Sequence, residues 1–357
     1  MEAIVVVTGA AGAIGRRVVD AVASDPHVTR VVAVDHRVAP TTRRAASGRA
    51  EVRFVPFALD DPRLALAVAG ATELVHLGPA AGAELDGTGG SEIDVDGFAH
   101  LLGVLDGVGS LERVVVLSTA LVYGSRDDNP VPITETASTR PDPEVAMAVA
   151  KSRIEAMARV WADTHGATCT LLRPSLVVCP ETGSWLARSP WSSAGLQVSD
   201  AEPPVQFLHV DDLVSAISTV RHADLDGVVN VAPDGWLTAA QLHALKGPTA
   251  RVRLPRRLAY RLARWGGWVG LGRGSADAVL AASAPWVVAN DRLRAAGWAP
   301  EHTSAEAFVE ADPGGPWSRL TPRHRQAIAL GAVGAVVVAA ITAVVAVVVH
   351  QRRRVGG

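Results

Sequence analysis

The chain has 357 residues, 48% of them hydrophobic, a formal net charge of −2 and two cysteines. That length and apolar content suffice for one large α/β domain or two smaller ones and exclude a disordered chain. The charge balance leaves no overall electrostatic footprint for nucleic acid, and Cys169 and Cys179 have neither a disulfide framework nor metal-ligand spacing, so they read as small core residues.

The chain opens on IVVVTGAAGAIG at residues 4–15. Ile4 to Val7 form an apolar run of the kind a parallel-sheet strand shows when both its faces are covered. Gly9, Gly12 and Gly15 follow where a tight turn, close approach of backbone to a pyrophosphate, and close helix–strand packing each exclude a side chain. A helix from Ile14 to Ser24 then aims its first amides at those phosphates. The next strand, RVVAVD, ends in Asp35, where a carboxylate accepts from both ribose hydroxyls and repels a 2′-phosphate. The spacing predicts a dinucleotide site, with NAD favoured over NADP and Arg37 close enough to blur that preference.

Further strands are predicted at VRFVPF (52–57), ELVHL (73–77), RVVVLS (113–118) and TCTLLR (168–173), separated by segments of helical period. The alternation predicts a doubly wound parallel sheet. Asp60, after the third strand, is placed either to accept from an adenine amino group or to be a plain loop acid. Ser91 and Asp94 resemble a capping box for a helix carrying Phe98, Leu101, Leu102 and Leu105. His209, Asp211 and Asp212 offer one imidazole and two carboxylates, but adjacent like charges do not converge on one ion without further ligands. Asp211 reads instead as the N-cap of a helix from Leu213 to His222, and no metal is expected.

Residues 180–206 interrupt the alternation with prolines, serines, Trp185 and Trp191, which suit either a stacked ligand or a pinned loop. The run at 251–273 combines seven arginines with Trp265 and Trp268. It reads as a solvated basic face or as an interfacial helix meeting anionic lipid. Residues 311–326 read as a Pro/Gly-broken linker. Ala327 to Val349 supply 23 residues without a charge, long enough at 1.5 Å per residue to cross a ~30 Å hydrocarbon core, and a basic tail follows at 350–357. Arginines flank this predicted transmembrane helix equally, so the positive-inside rule is a tie. Met1 leads almost directly into the first strand, and the body is therefore expected to stay cytoplasmic on a single-pass anchor, with membrane lipid as a partner.

Six segments together resemble the extended short-chain dehydrogenase/reductase superfamily, in its NAD-dependent epimerase/dehydratase group. They are TGAAGAIG at the start, STALVYG at 118–124, Lys151 on its helix, LRPSLVVCP at 172–180, FLHVDDLVSAI at 207–217 and VVNVAPDG at 228–235. The resemblance spans roughly residues 3–310. It implies a Rossmann core over about 1–175 and a small substrate region mostly at 176–310. It also implies that Gly9, Gly12, Ile14, Gly15, Asp35, Asp60 and Leu77 line the NAD site, that Lys151 binds the nicotinamide ribose, and that Thr119 is the catalytic hydroxyl. The small-molecule substrate it implies bears a hydroxyl: a nucleotide sugar, sterol-like alcohol or lipid intermediate. Related enzymes often dimerise through two helices.

Two departures stand against it. The family mechanism uses a tyrosine four residues before the lysine as proton acceptor, and here that position is Met147. A thioether cannot shuttle a proton. Tyr123 and Tyr260 are followed at four residues by Asp127 and Arg264, so neither restores the YxxxK spacing. Thr119 is followed by Ala120 and Leu121 rather than the Asp-Glu of sugar 4,6-dehydratases. The substitutes are Thr119 acting through water, a desolvated Lys151, or Glu144 on the same helix face. The expectation is an oxidoreductase or epimerase, with a catalytically impaired NAD-binding regulator or scaffold as the alternative.

Overall fold

The structure, a computed structural model, describes residues 3–37, 41–44, 50–78, 90–179, 196–198, 203–223, 225–246, 252–255, 257–261, 285 and 287–311. All lie within one compact unit, Met1–Asp312. Among them no helix is long and apolar enough to cross a membrane. The predicted span at 327–349, its flanks, Trp185, Trp191, Trp265 and Trp268 lie outside the described residues.

Eight strands form the main sheet: β1 (Ala3–Thr8), β2 (Val28–Val34), β3 (Thr41–Arg44), β4 (Glu51–Val55), β5 (Glu73–His76), β6 (Arg113–Leu117), β7 (Thr168–Pro174) and β11 (Gly227–Val231). Their order is β11-β7-β6-β5-β1-β2-β4-β3. Every neighbouring pair is parallel except β3 with β4. The helices are α1 (Ala13–Ser24), α2 (Leu64–Ala67), α3 (Gly90–Asp106), α4 (Ala146–His165), α5 (Val210–His222), α6 (Ala239–Lys246), α7 (Asp291–Ala295) and α8 (Ser304–Ala311). Two small parallel pairs complete the set: β8 (Leu176–Val178) with β10 (Phe207–His209), and β9 (Leu196–Val198) with β12 (Val252–Leu254).

The unbroken valine run of β1 follows from burial on both faces. Val5 and Val7 pack into one core with Val18, Val19 and Val22 of α1 and Leu213, Ile217 and Val220 of α5. Val6 enters the opposite core with Phe98, Leu101 and Leu105 of α3 and Ile154, Ala158 and Trp161 of α4. Side chains alternate across a strand, so a strand covered on both sides reads as a near-continuous apolar run. Each fully buried valine or leucine contributes roughly 1.5–3 kcal/mol, and the six residues of β1 thus anchor both layers. A third core joins the short 3-10 helix Ala120–Tyr123 and the start of α4 to β8, β10 and α8. The substrate region predicted after residue 175 therefore shares apolar packing with the helix that carries Lys151.

Chain order also fixes where a ligand can enter. From β1 the chain moves outward to β2 on one side and later to β5 on the other, and the loops after these strands open a crevice at that switch. Gly9 follows β1, Asp35 follows β2, Leu77 follows β5 and Thr119 follows β6.

Three predicted local features differ in the structure. Helix α3 begins at Gly90, one residue before the predicted cap Ser91. The N-cap of α5 is His209, whose Nδ1 accepts from the Asp211 amide at 3.3 Å, while Asp211 is a first-turn acid. An imidazole nitrogen caps as a carboxylate does, and the sequence rule considers only the commoner oxygen caps. Glu144 is an exposed turn residue ahead of Val145, the N-cap of α4, so it does not share a helix face with Met147. Cys169 and Cys179 are both buried and neither forms a disulfide among the described residues, and burial pushes the Cys169 thiol up to about 12.

Candidate functional site

The glycine turn is built from backbone. Gly9 has φ +74°, and its amide donates to the Val34 carbonyl at 3.0 Å, fastening the turn to β2. A Cβ on Gly9 would stand 2.8 Å from the Gly78 carbonyl oxygen, and one on Gly15 would stand 2.1 Å from the Gly9 carbonyl oxygen. The protein's own packing therefore requires glycine at both positions. Gly12 is different. A Cβ there would lie 3.5 Å from the Gly9 oxygen, an ordinary contact, and its φ of −65° suits any residue. Neither packing nor backbone conformation asks for glycine at 12, and the missing side chain keeps the outer face of the cradle clear. The first turn of α1 carries no acidic side chain and no side-chain cap, so its amides remain directed at that face.

Asp35 closes one end. Its buried carboxylate accepts from the Ala11 amide at 3.0 Å, tying β2 to the turn. It also accepts from Arg37, at 3.0 Å from both Nε and Nη2 and at 2.9 Å from the backbone amide. Burial pushes the Asp35 carboxyl up, but these donors outweigh burial and hold it below its ordinary value. The Arg37 side chain is 52% exposed, so it can leave the carboxylate when ribose hydroxyls take its place. An open cleft of about 390 Å³ lies alongside, lined by Ala10, Ala11, Arg16, Asp20, Arg37 and Phe54. Ile14 packs half-buried against the α1 core, and Asp60 sits exposed in the turn after β4. The residues present fit a dinucleotide: an open glycine face, helix amides and a carboxylate at the neighbouring strand end.

The opposite end holds Lys151, Thr119 and Met147. Lys151 is buried on α4, and its Nζ donates to the Leu77 carbonyl at 3.3 Å. Leu77 also touches Gly9, its Cβ lying 3.4 Å from where a Gly9 side chain would begin. The cradle and the lysine are thereby joined through one residue. Below them His76 is fully buried, with Nδ1 2.8 Å from Thr8 Oγ1 and its ring against Phe98. Burial, and then the Lys151 charge, push its pKa well down, so the imidazole is neutral. Thr119 is half-buried at the N-cap of the 3-10 helix, where its Oγ1 accepts from the Leu121 amide at 3.3 Å. Met147, one turn ahead of Lys151, is partly buried against the third core.

A polar network that the sequence reading missed lies behind these groups. The Ser118 hydroxyl donates to Glu155, which also accepts from Arg173 at 2.9 Å and 2.5 Å. The Arg173 guanidinium stacks 4.7 Å from the Tyr123 ring centre, and Tyr123 donates to Asn230 Oδ1 at 2.9 Å. Ser118 adjoins Thr119, and Glu155 lies one turn after Lys151, so the network braces both strand end and helix. The signal available was the i, i+4 spacing of Lys151 and Glu155. Tyr123 is 1% exposed and burial raises its phenol, so it does not replace the missing tyrosine. Thr119, Lys151, Leu77, Gly9, Gly12, Gly15 and Asp35 are all delivered to the crevice, whereas Asp60 has no described contact with the cradle.

Among curated proteins, an uncharacterized protein of Mycobacterium tuberculosis and one of Mycobacterium bovis are 28% identical over 247 residues, covering 67% of this chain and 64% of their own length. The chain thus spans just under two thirds of those relatives. Among solved structures, UDP-N-acetylglucosamine 4-epimerase from Methanobrevibacter ruminantium, in complex with UDP-N-acetylmuramic acid, is 18% identical with a TM-score of 0.64, covering 87% of this chain and 98% of its own. UDP-glucose 4-epimerase with UDP-glucose from Thermotoga maritima is 19% identical with a TM-score of 0.63, over 87% and 97%. The dTDP-glucose 4,6-dehydratase from Bacillus anthracis in complex with NAD is 18% identical with a TM-score of 0.59, over 87% and 95%. At these identities the structures establish a common fold. The family model of the NAD dependent epimerase/dehydratase family matches residues 5–232, well over half of the sequence, and the chain belongs to that family.

Proposed function

We propose that the protein binds NAD in the Gly9–Gly15 cradle and a hydroxyl-bearing small molecule of the nucleotide-sugar class over Thr119 and Lys151, and that it transfers hydride slowly for want of a phenol. Gly12 is the observation that carries the binding half, because the residue is small where only a ligand needs it to be. A buried carboxylate at Asp35 supports NAD over NADP, since a 2′-phosphate would meet its charge. NAD when bound supplies a hydride acceptor at its nicotinamide.

The protein's own groups do the rest. Lys151, held by the Leu77 carbonyl, presents a fixed positive charge at the inner end of the cradle and favours developing negative charge on a substrate oxygen. Thr119, anchored by the Leu121 amide, offers a hydroxyl that donates to that oxygen or passes its proton to water. With Met147 at the phenol position, no side chain of ordinary acid/base strength stands one turn before the lysine. Loss of such a group typically removes a factor of roughly 10²–10⁴.

A second reading, a membrane-held NAD-binding regulator without turnover, is favoured by the packing of Met147 into the third core, where a thioether stabilises the fold and does no chemistry. The 23-residue apolar segment at 327–349 supports a single-pass anchor. The deciding experiment uses the full chain in detergent micelles. Calorimetry with NAD should give one site per chain, and Met147→Tyr should raise reduced-nicotinamide formation with UDP-hexoses. No binding heat would end both readings. NAD binding with no turnover in either form would leave the regulator.

A further inference from the structure

We propose that His209, His302 and Glu310 form a binding site for a divalent transition-metal ion, zinc foremost, which pins α8 to β10 and α5. His209 ends β10, His302 lies in the loop before α8, and Glu310 is near the end of α8. One ring nitrogen from each histidine and a carboxylate oxygen of Glu310 lie within 4.8 Å of one another. The two imidazoles stack with ring centres 3.9 Å apart. His209 is 3% exposed, yet its Nε2 makes no hydrogen bond; the nearest acid, Glu310 Oε2, is 3.4 Å away. A buried polar atom left in that state costs about 1–3 kcal/mol, which a bound ion would offset.

The surroundings match what a metal asks of histidine. His302 Nδ1 lies 3.2 Å from Asp212 Oδ2, and His209 Nδ1 lies 3.7 Å from Asp211 Oδ2. His302 thus has a carboxylate within hydrogen-bond reach of the nitrogen that would not ligate, the arrangement that fixes the tautomer and raises the basicity of metal-bound imidazoles, and Asp211 stands near the corresponding nitrogen of His209. Asp212 is 1% exposed and is itself locked by the Glu301 and His302 amides at 2.9 Å and 3.1 Å. Ligation through Nε2 turns His209 Nδ1 toward the Asp211 carboxylate in place of its present contact with the Asp211 amide. The set of two imidazoles and one carboxylate suits zinc and leaves a fourth position for water. Zinc distances of about 2.1 Å require the three atoms to draw together, and Glu310, 51% exposed on the outer helix, has the freedom to do so. Adjacency in sequence gave too few ligands here; the tertiary fold adds two from residues about a hundred positions later.

The test uses the full chain without a polyhistidine tag, stripped with chelator and titrated with Zn²⁺ and Co²⁺ alone. The expected result is one ion per chain, visible d–d absorption from Co²⁺ in a low-symmetry site, and a higher melting temperature with Zn²⁺. Glu310→Gln and His302→Gln should each weaken binding at least about tenfold, and Asp211→Asn about tenfold. Circular dichroism checks each fold, and the exposed Glu310 variant decides should the His302 variant fail to fold. Absence of stoichiometric uptake, or uptake unchanged in Glu310→Gln, overturns the site whether or not NAD binds.

Discussion

The two ends of the crevice are made of different material. At the β1 end the site is backbone: the Gly9 amide is bonded to Val34, the Ala11 amide to Asp35, and a Cβ at Gly9 or Gly15 would stand less than 3 Å from a backbone oxygen. At the α4 end the site is a row of side chains on one helix, of which Lys151 and Glu155 are held by polar partners and Met147 by apolar packing. Backbone that is woven into a sheet core cannot change without unfolding the protein. A half-buried side chain on a helix can be replaced at a modest cost to the fold. This difference explains how a chain can keep its dinucleotide cradle while lacking the phenol that normally works beside it.

The contrast can be broken from either side. The largest effect is expected from Met147→Tyr, which restores the i, i+4 spacing to Lys151; a gain of roughly 10²–10⁴ in single-turnover hydride transfer would show the rest of the site intact. Next comes Gly15→Ala, whose Cβ would meet the Gly9 oxygen at 2.1 Å. It should lower stability in urea by about 3 kcal/mol or more, or prevent folding, and an unchanged midpoint would refute the packing argument. Gly12→Val should leave the urea midpoint almost unmoved yet weaken NAD by about 1–3 kcal/mol in calorimetry, separating ligand demand from fold demand. The smallest effect concerns Arg37→Ala, which frees Asp35 and should tighten NAD by about 1 kcal/mol, the scale of a half-exposed ion pair.

Acid titration sharpens the same contrast. The Asp25, Asp35 and Asp226 carboxyls are all held below their ordinary value of 3.8 in the folded protein. Their stabilisation is present above that pH and is lost as pH falls through the lowered folded values. Chemical denaturation midpoints should therefore fall on acidification below about pH 4, and Arg37→Ala should remove part of that dependence by raising the Asp35 carboxyl.

Much of the cradle was legible because it depends on local chain geometry. Ile4–Val7 predicted β1, and Gly9, Gly12, Gly15 and Asp35 fell at the turn and strand end that the spacing required. The α5 cap was misread because His209 serves it with an imidazole nitrogen, a donor–acceptor choice that residue frequencies do not encode. Glu144 was misplaced because helix starts are set by which amides find acceptors, and α4 begins two residues later. Arg37 was close to Asp35 in sequence, but that its fork covers both carboxylate oxygens depends on the turn between them.

By itself the sequence determined the alternation of strands and helices, the glycine cradle, the acid at the end of β2, and the absence of the YxxxK tyrosine. These are local facts, carried by hydrophobic period, glycine spacing and identity at a position. The tertiary structure alone decided what meets across long separations: Lys151 on the Leu77 carbonyl, Glu155 between Ser118 and Arg173, and His209 beside His302 and Glu310. Such meetings depend on sheet order and helix docking, which arise from how apolar surfaces are buried together and leave no fixed spacing along the chain.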